Sequence, residues 1–155
     1  MKIIISPAKT LDFNKIEFDK ATKPLFIDKA GKIINELKKI TEKDIEKSLK
    51  VNKKLASLNY KRYQNWKTED GVNSKQAIFT YNGHLFKNIV LNKLNTEDLD
   101  YLQDNLVIIS TLYGLLKPFD LIMPYRLDFL AKIKIDNQIP SQILLSKAFQ
   151  SQHIS

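Results

Sequence analysis

The sequence predicts a mixed α/β (α+β) fold: a single domain with a small sheet flanked by helices. Three observations carry this. The chain has 155 residues, a length that suits one domain and buries about 70% of the unfolded surface. Two short β-branched runs, Lys2–Ile5 and Leu106–Ile109, read as buried strands. Between them, Phe26, Ala30, Ile33, Ile34, Leu37 and Ile40 recur at helical spacing.

Taken in order, the first strand ends at Ser6-Pro7, and the loop Ser6–Asp12 follows. In mixed α/β folds, ligands sit in loops past the carboxyl ends of strands. Ser6, Lys9 and Thr10 offer two hydroxyls and one cation, which suits an anion. The glycines of a P-loop are absent, and the same residues also suit a turn whose hydroxyls cap local backbone. Asn14–Lys23 is charged and aperiodic, so it reads as loop. Pro24 can open the first helix. Thr41 is a good N-cap, with Glu42 and Asp44 placed to complement the dipole of a helix reaching about Lys50.

Asn52 can cap the next helix, along which Leu55, Leu58, Asn59, Arg62, Tyr63 and Trp66 fall on adjoining faces. Two short helices in tandem, the second basic and aromatic, have the outline of a helix-hairpin-helix that grips duplex DNA through phosphates. Lys53, Lys54, Lys61 and Arg62 are its candidate contacts. The competing reading is that the aromatics pack and the lysines are solvated surface. Beyond the polar loop Thr68–Lys75, an apolar stretch ends at the turn Asn82-Gly83, with His84 expected at the surface. Thr96, followed by Glu97 and Asp98, starts a helix through about Asp104.

The second strand feeds into Ser110–Asp128, STLYGLLKPFDLIMPYRLD. This segment is mostly apolar, turns at Gly114, Pro118 and Pro124, and carries Tyr113, Lys117, Asp120, Tyr125 and Arg126. Such a mixture suggests the lining of a pocket. If the two strands are parallel neighbours, their trailing loops share one edge, and Lys9, Tyr113 and Arg126 converge. From Leu130 the character changes. Ala131–Asp136 is a candidate strand and Gln138–Ser155 a frayed helix or tail, so residues 1–130 form the domain and 131–155 a divergent tail.

Composition narrows the function. With no cysteine, disulfides, zinc ribbons and thiol redox chemistry are excluded. His84 and His153 are the only imidazoles, and no acidic cluster accompanies them, so neither a metal nor a cofactor is expected. The apolar runs are far too short to span a bilayer. The opening MKIIISPAKTLD reads as a strand rather than a signal peptide. The expected address is cytoplasmic, with no membrane partner. Net charge is +8 and lopsided: residues 1–70 hold 17 Lys or Arg against 10 Asp or Glu, residues 71–155 hold 8 against 7. A basic half beside a near-neutral one fits a polyanionic partner.

The chain resembles the YaaA family of bacterial peroxide-stress proteins. The residues that carry the resemblance are ISPAKTLDF at Ile5–Phe13, the Asn82-Gly83 turn, and LYGLLKPFDLIMPYRLDF at Leu112–Phe129. The resemblance implies a single α/β domain with a positively charged cleft, a helix-hairpin-helix-like element and binding to double-stranded DNA. It also implies induction by peroxide and a lowering of free intracellular iron. The family pattern at the turn is Gly-Asp-aromatic, where this chain has Gly83-His84, and the hairpin glycine is replaced, by this reading at Ser57. Typical members continue well past the PYRL motif, so this chain is expected to be a version with the C-terminal part missing, folded or not. Two further readings stand beside DNA binding. One is an enzyme acting on a small phosphorylated or nucleotide-like ligand, with Ser6, Lys9, Thr10, Tyr113, Lys117, Asp120, Tyr125 and Arg126 around a small anionic ligand. The other is an inactive fragment.

Overall fold

Parallel pairing of the two β-branched runs sets the frame. The computed structural model describes residues 1–69, 72–129, 131–134, 137–138 and 142. Strand β1 (Ile3–Ile5) is followed by a long loop and then by helices α1 (Ile27–Leu37), α2 (Glu42–Leu49) and α3 (Lys53–Asn65). The two-residue strand β2 (Lys75–Gln76) leads into short helices α4 (Ala77–Thr80) and α5 (His84–Asn88), and then α6 (Thr96–Asn105). Strands β3 (Leu106–Ser110), β4 (Gly114–Leu116) and β5 (Leu121–Ile122) close the order. The main sheet runs β1-β3-β4, with β1 parallel to β3 and β4 antiparallel to it. The register sets Ile3 opposite Leu106 and Ile5 opposite Ile108. A second, two-stranded sheet pairs β2 with β5. The molecule is a single mixed α/β domain.

Most helix boundaries follow from local chemistry. The Thr41 side chain accepts from the Asp44 backbone N–H while Asp44 reaches back to the Thr41 N–H, a complete capping box. The Asn52 side chain caps α3 through Leu55 N–H. Helix α1 buries Ile27, Ala30, Ile33, Ile34 and Leu37 on one face, as their spacing predicts. It begins three residues after Pro24, and Ile40 lies beyond its end. Helix α6 is capped by Asn95, not by Thr96, because Asn95 forms the capping box with Asp98.

Three expectations are corrected. The first strand is not buried on both faces: it lies at the sheet edge and Ile4 is 47% exposed. The candidate strand after Leu130 is absent in residues 131–134. Ala131 and Ile133 are nevertheless buried in the core, so the packed domain reaches past residue 130. The rest of the candidate strand and nearly all of the tail 138–155 lie outside the described residues.

The third correction concerns Asp120 and Lys117. Asp120 is buried, accepting from the Thr22 hydroxyl at 2.6 Å and the Lys117 backbone N–H at 2.8 Å. Lys117 itself is exposed, on the outside of that turn. The Asp120 carboxylate thereby ties the Lys117–Asp120 turn to the early loop, where Thr22 N–H also donates to the Phe119 carbonyl and Leu121 N–H to the Thr22 carbonyl. Asp120→Ala would strand two donors, at a cost of about 2–3 kcal/mol. Burial raises the Asp120 carboxyl pKa, opposed by its Thr22 and Lys117 bonds. A carboxyl whose pKa is raised on folding stabilises most below its unfolded value and loses that contribution as pH rises through the folded one. The stability deficit of Asp120→Asn is therefore expected to be largest in acid and to shrink toward neutrality. Urea unfolding at several pH values checks this, and a deficit that grows with pH would contradict it.

Candidate functional site

Because β1 and β3 are parallel, the loops after Ile5 and Ser110 emerge at the same edge. They open into a cavity of about 420 Å³. Its first wall is the loop Ser6, Pro7, Ala8, Lys9. The second is the returning segment Tyr125–Phe129 with Thr111 beneath it, and the third is the C-terminal end of α2 at Ser48, Leu49 and Lys50.

The first loop is held from outside. Leu11 and Tyr81 form an antiparallel bridge, Asn82 N–H donates to the Thr10 carbonyl at 2.9 Å, and Asp12 N–H donates to Thr80 at 2.7 Å. Gly83 stands so close to Ala8 that an added Cβ would lie 2.8 Å from the Ala8 Cβ. The glycine turn thus serves as the seat of the Ser6–Lys9 loop.

Lys9 and Arg126 do meet. Lys9 Nζ lies 3.7 Å and Arg126 Nη2 3.5 Å from the same oxygen of Asp128. Asp128 was missed by sequence reasoning, yet a signal exists: residues two apart on an extended chain share a face, and Asp128 follows Arg126 at that interval. The Arg126 backbone carbonyl accepts from the Tyr63 hydroxyl, so α3 fixes its position. Two buried polar atoms of cavity-lining residues, Thr111 Oγ1 and Arg126 Nε, have no hydrogen-bond partner among the described residues. Lys50 and Thr111 were also missed: Thr111 directly follows β3, so the strand pairing places it here, whereas only long-range packing brings Lys50.

Other candidates are placed elsewhere. Ser6 lines the cavity. Thr10 is exposed beyond it, its carbonyl holding Asn82. Tyr125 forms part of the wall, but its hydroxyl points into a buried network, 2.6 Å from the Tyr81 hydroxyl and 2.7 Å from Ser110 Oγ. Tyr113 does not join the cavity. Its hydroxyl accepts from Trp66 Nε1 at 2.9 Å and from the Met123 backbone N–H at 3.0 Å, inside the core. Burial pushes the hydroxyls of Tyr113, Tyr125 and Tyr81 up, so they stay protonated at neutral pH and serve as hydrogen-bonding struts. Lys117 and Asp120 belong to the turn described above.

The second candidate surface is the α2–α3 hairpin. The turn between the helices runs through Lys50 in the left-handed conformation, at φ 53°. The position at which glycine would be expected is therefore Lys50. Ser57, to which the sequence reading assigned it, sits inside α3 and hydrogen-bonds Glu42. At roughly 100° per residue, Lys53, Lys54 and Lys61 share one outward arc of α3, opposite the buried Ala56, Asn59 and Tyr63. Arg62 falls outside that arc. It is partly buried, donating to Asn59 at 3.4 Å. Burial lowers its pKa, with the charge of Arg126 acting in the same direction. A groove between the helices is lined by Lys43, Lys47, Lys50 and Lys53 with Glu42 and Glu46. Among the described residues, no three or more His, Asp or Glu side chains gather as metal ligands would, and no helix is long and apolar enough to cross a membrane.

A family model described as peroxide stress protein YaaA matches residues 1–145. This match extends past Phe129, where the motifs end. The chain is 46% identical over 136 residues to a UPF0246 protein of Clostridium beijerinckii, covering 87% of this chain and 52% of that one. It is 40% identical over 130 residues to a UPF0246 protein of Burkholderia lata, covering 83% and 50%. A third UPF0246 protein, from Crocosphaera subtropica, is 43% identical over 139 residues, covering 88% and 54%. The chain spans about half the length of these curated relatives.

Proposed function

The chain belongs to the peroxide stress protein YaaA family, and on that premise we propose that it acts in the peroxide-stress response by binding double-stranded DNA through the α2–α3 hairpin. The observation that carries this is the set of lysines on that hairpin. Lys43, Lys47, Lys50, Lys53, Lys54 and Lys61 are all exposed, and none has an ion-pair partner among the described residues. Elsewhere Lys20, Lys23 and Lys39 are paired with carboxylates, while Lys15, Lys87 and Lys117 are exposed and form no salt bridge among the described residues, so it is the grouping of six on two consecutive helices and their turn that sets the hairpin apart. Cations left unpaired on one rigid two-helix unit suit a row of phosphates, which fix position without reading sequence. The proposed protective role includes lowering free iron, as the family resemblance implies. Chelatable iron measured in peroxide-challenged cells with and without the protein checks that part.

The direct test is fluorescence anisotropy of a labelled duplex titrated with the protein at several salt concentrations. With four or five phosphates neutralised, log Kobs should fall against log salt with a slope of about −3.5 to −4.5. A flat dependence, or no association at low salt, would remove the duplex from the proposal.

A further inference from the structure

We propose that the cavity at the carboxyl edge of β1 and β3 is a binding site for a phosphate monoester carrying a compact apolar or aromatic body. The site borders the hairpin's lysine row at Lys50, which lines both; its other polar residues, Lys9, Thr111, Arg126 and Asp128, lie outside that row, so it does not depend on duplex binding.

Charge supports the phosphate. Lys9, Lys50 and Arg126 line the cavity, and Asp128 is the only carboxylate among its described lining residues. Three cations against one carboxylate leave two positive charges. A phosphate monoester brings about −1.5 to −2 at neutral pH; a lone carboxylate would leave the site unbalanced.

Hydrogen bonding supports it independently. Thr111 is only 2% exposed, and its hydroxyl has no partner among the described residues. Arg126 Nε is in the same condition. A buried donor without a partner costs about 1–3 kcal/mol, so two such donors on residues that line one cavity favour acceptor oxygens there. Asp128 approaches Arg126 at one guanidinium nitrogen, Nη2, at 3.5 Å, and does not engage Nε. Position agrees as well, since ligands of open α/β sheets bind past the carboxyl ends of the strands.

The rest of the lining sets the ligand's other half. Pro7, Leu49, Leu127 and Phe129 are apolar. The cavity volume of about 420 Å³ is in the range that holds small organic ligands, well beyond the needs of inorganic phosphate. A nucleoside 5′-phosphate has this combination. It can come from a free mononucleotide or from the 5′-phosphorylated end of a DNA strand.

The test uses the full chain. Thymidine 5′-monophosphate and phenyl phosphate should raise the unfolding temperature and bind in calorimetric titration. Thymidine should do neither, and inorganic phosphate should bind more weakly. Thr111→Val should unfold at the native temperature or above, because it removes an unpartnered hydroxyl, yet weaken the monoester about tenfold. Arg126→Lys should weaken it by a similar factor despite keeping the charge, since it removes Nε. Lys53→Glu with Lys61→Glu should leave monoester binding unchanged, which separates failure of this site from failure of the duplex reading. A duplex with a 5′-phosphate that binds more tightly than its 5′-hydroxyl counterpart assigns the site to strand ends; equal binding assigns it to the free ester. No response to either monoester at millimolar concentration, or undiminished binding by Thr111→Val, would overturn the proposal.

Discussion

Tyr113→Phe is expected to lower the free energy of unfolding by about 2–4 kcal/mol. The change removes one oxygen and no packing volume, so hydrophobic burial is preserved. What is lost is a shared acceptor. Trp66 Nε1 and the Met123 backbone N–H both donate to the Tyr113 hydroxyl, at 2.9 and 3.0 Å, and both are buried with it. Each stranded donor carries its full desolvation cost. The three residues join the end of α3, the loop into β4 and the strand β5, so the effect should be global. Urea unfolding followed by the fluorescence of Trp66, the only tryptophan, measures it and should also report an altered native emission. In a cycle with Trp66→Phe followed by circular dichroism, the two changes should be strongly non-additive, because the second removes a donor the first has already stranded. Additive costs, or a cost below about 0.5 kcal/mol for Tyr113→Phe alone, would show that the hydroxyl does not link these elements.

Features decided within a few residues were legible in the sequence. The Thr41 capping box and the Asn52 cap are side chain to backbone contacts three residues apart, so residue type and spacing suffice. Asn95 against Thr96 shows the limit. Both are good caps, and the choice turned on which one Asp98 could answer. The parallel pairing of β1 and β3 was legible as a condition, and the meeting of Lys9 with Arg126 at Asp128 follows from it. Tyr113 and Asp120 were read as pocket residues because polar groups in an apolar, turning segment suggest a lining. The same turns leave backbone N–H groups that need acceptors inside the core, and these two side chains supply them. Sequence pattern does not separate a polar residue that serves the fold from one that faces a cavity. Lys50 could not be assigned to the site, because α2 reaches it only through tertiary packing; Thr111 follows β3 directly, but residue type alone does not mark a single threonine as cavity lining.

Reversing two charges on the outer arc of α3, Lys53→Glu with Lys61→Glu, is expected to weaken duplex binding about 100-fold at low salt and to reduce the salt slope by about 2. Both side chains are exposed and neither pairs with a described carboxylate. Such surface changes alter stability by only about 0.5 kcal/mol, so the loss would belong to binding and not to folding. Arg62→Gln supplies the internal comparison. As a basic residue of the hairpin, Arg62 counts among the expected phosphate contacts, but it lies off the lysine arc, half-buried against Asn59. Its replacement should disturb stability more than it changes the slope. If the double reversal binds duplex as the native chain does while Arg62→Gln abolishes binding, the DNA face is not the outer arc of the hairpin, and the inward side near Arg126 would have to carry it.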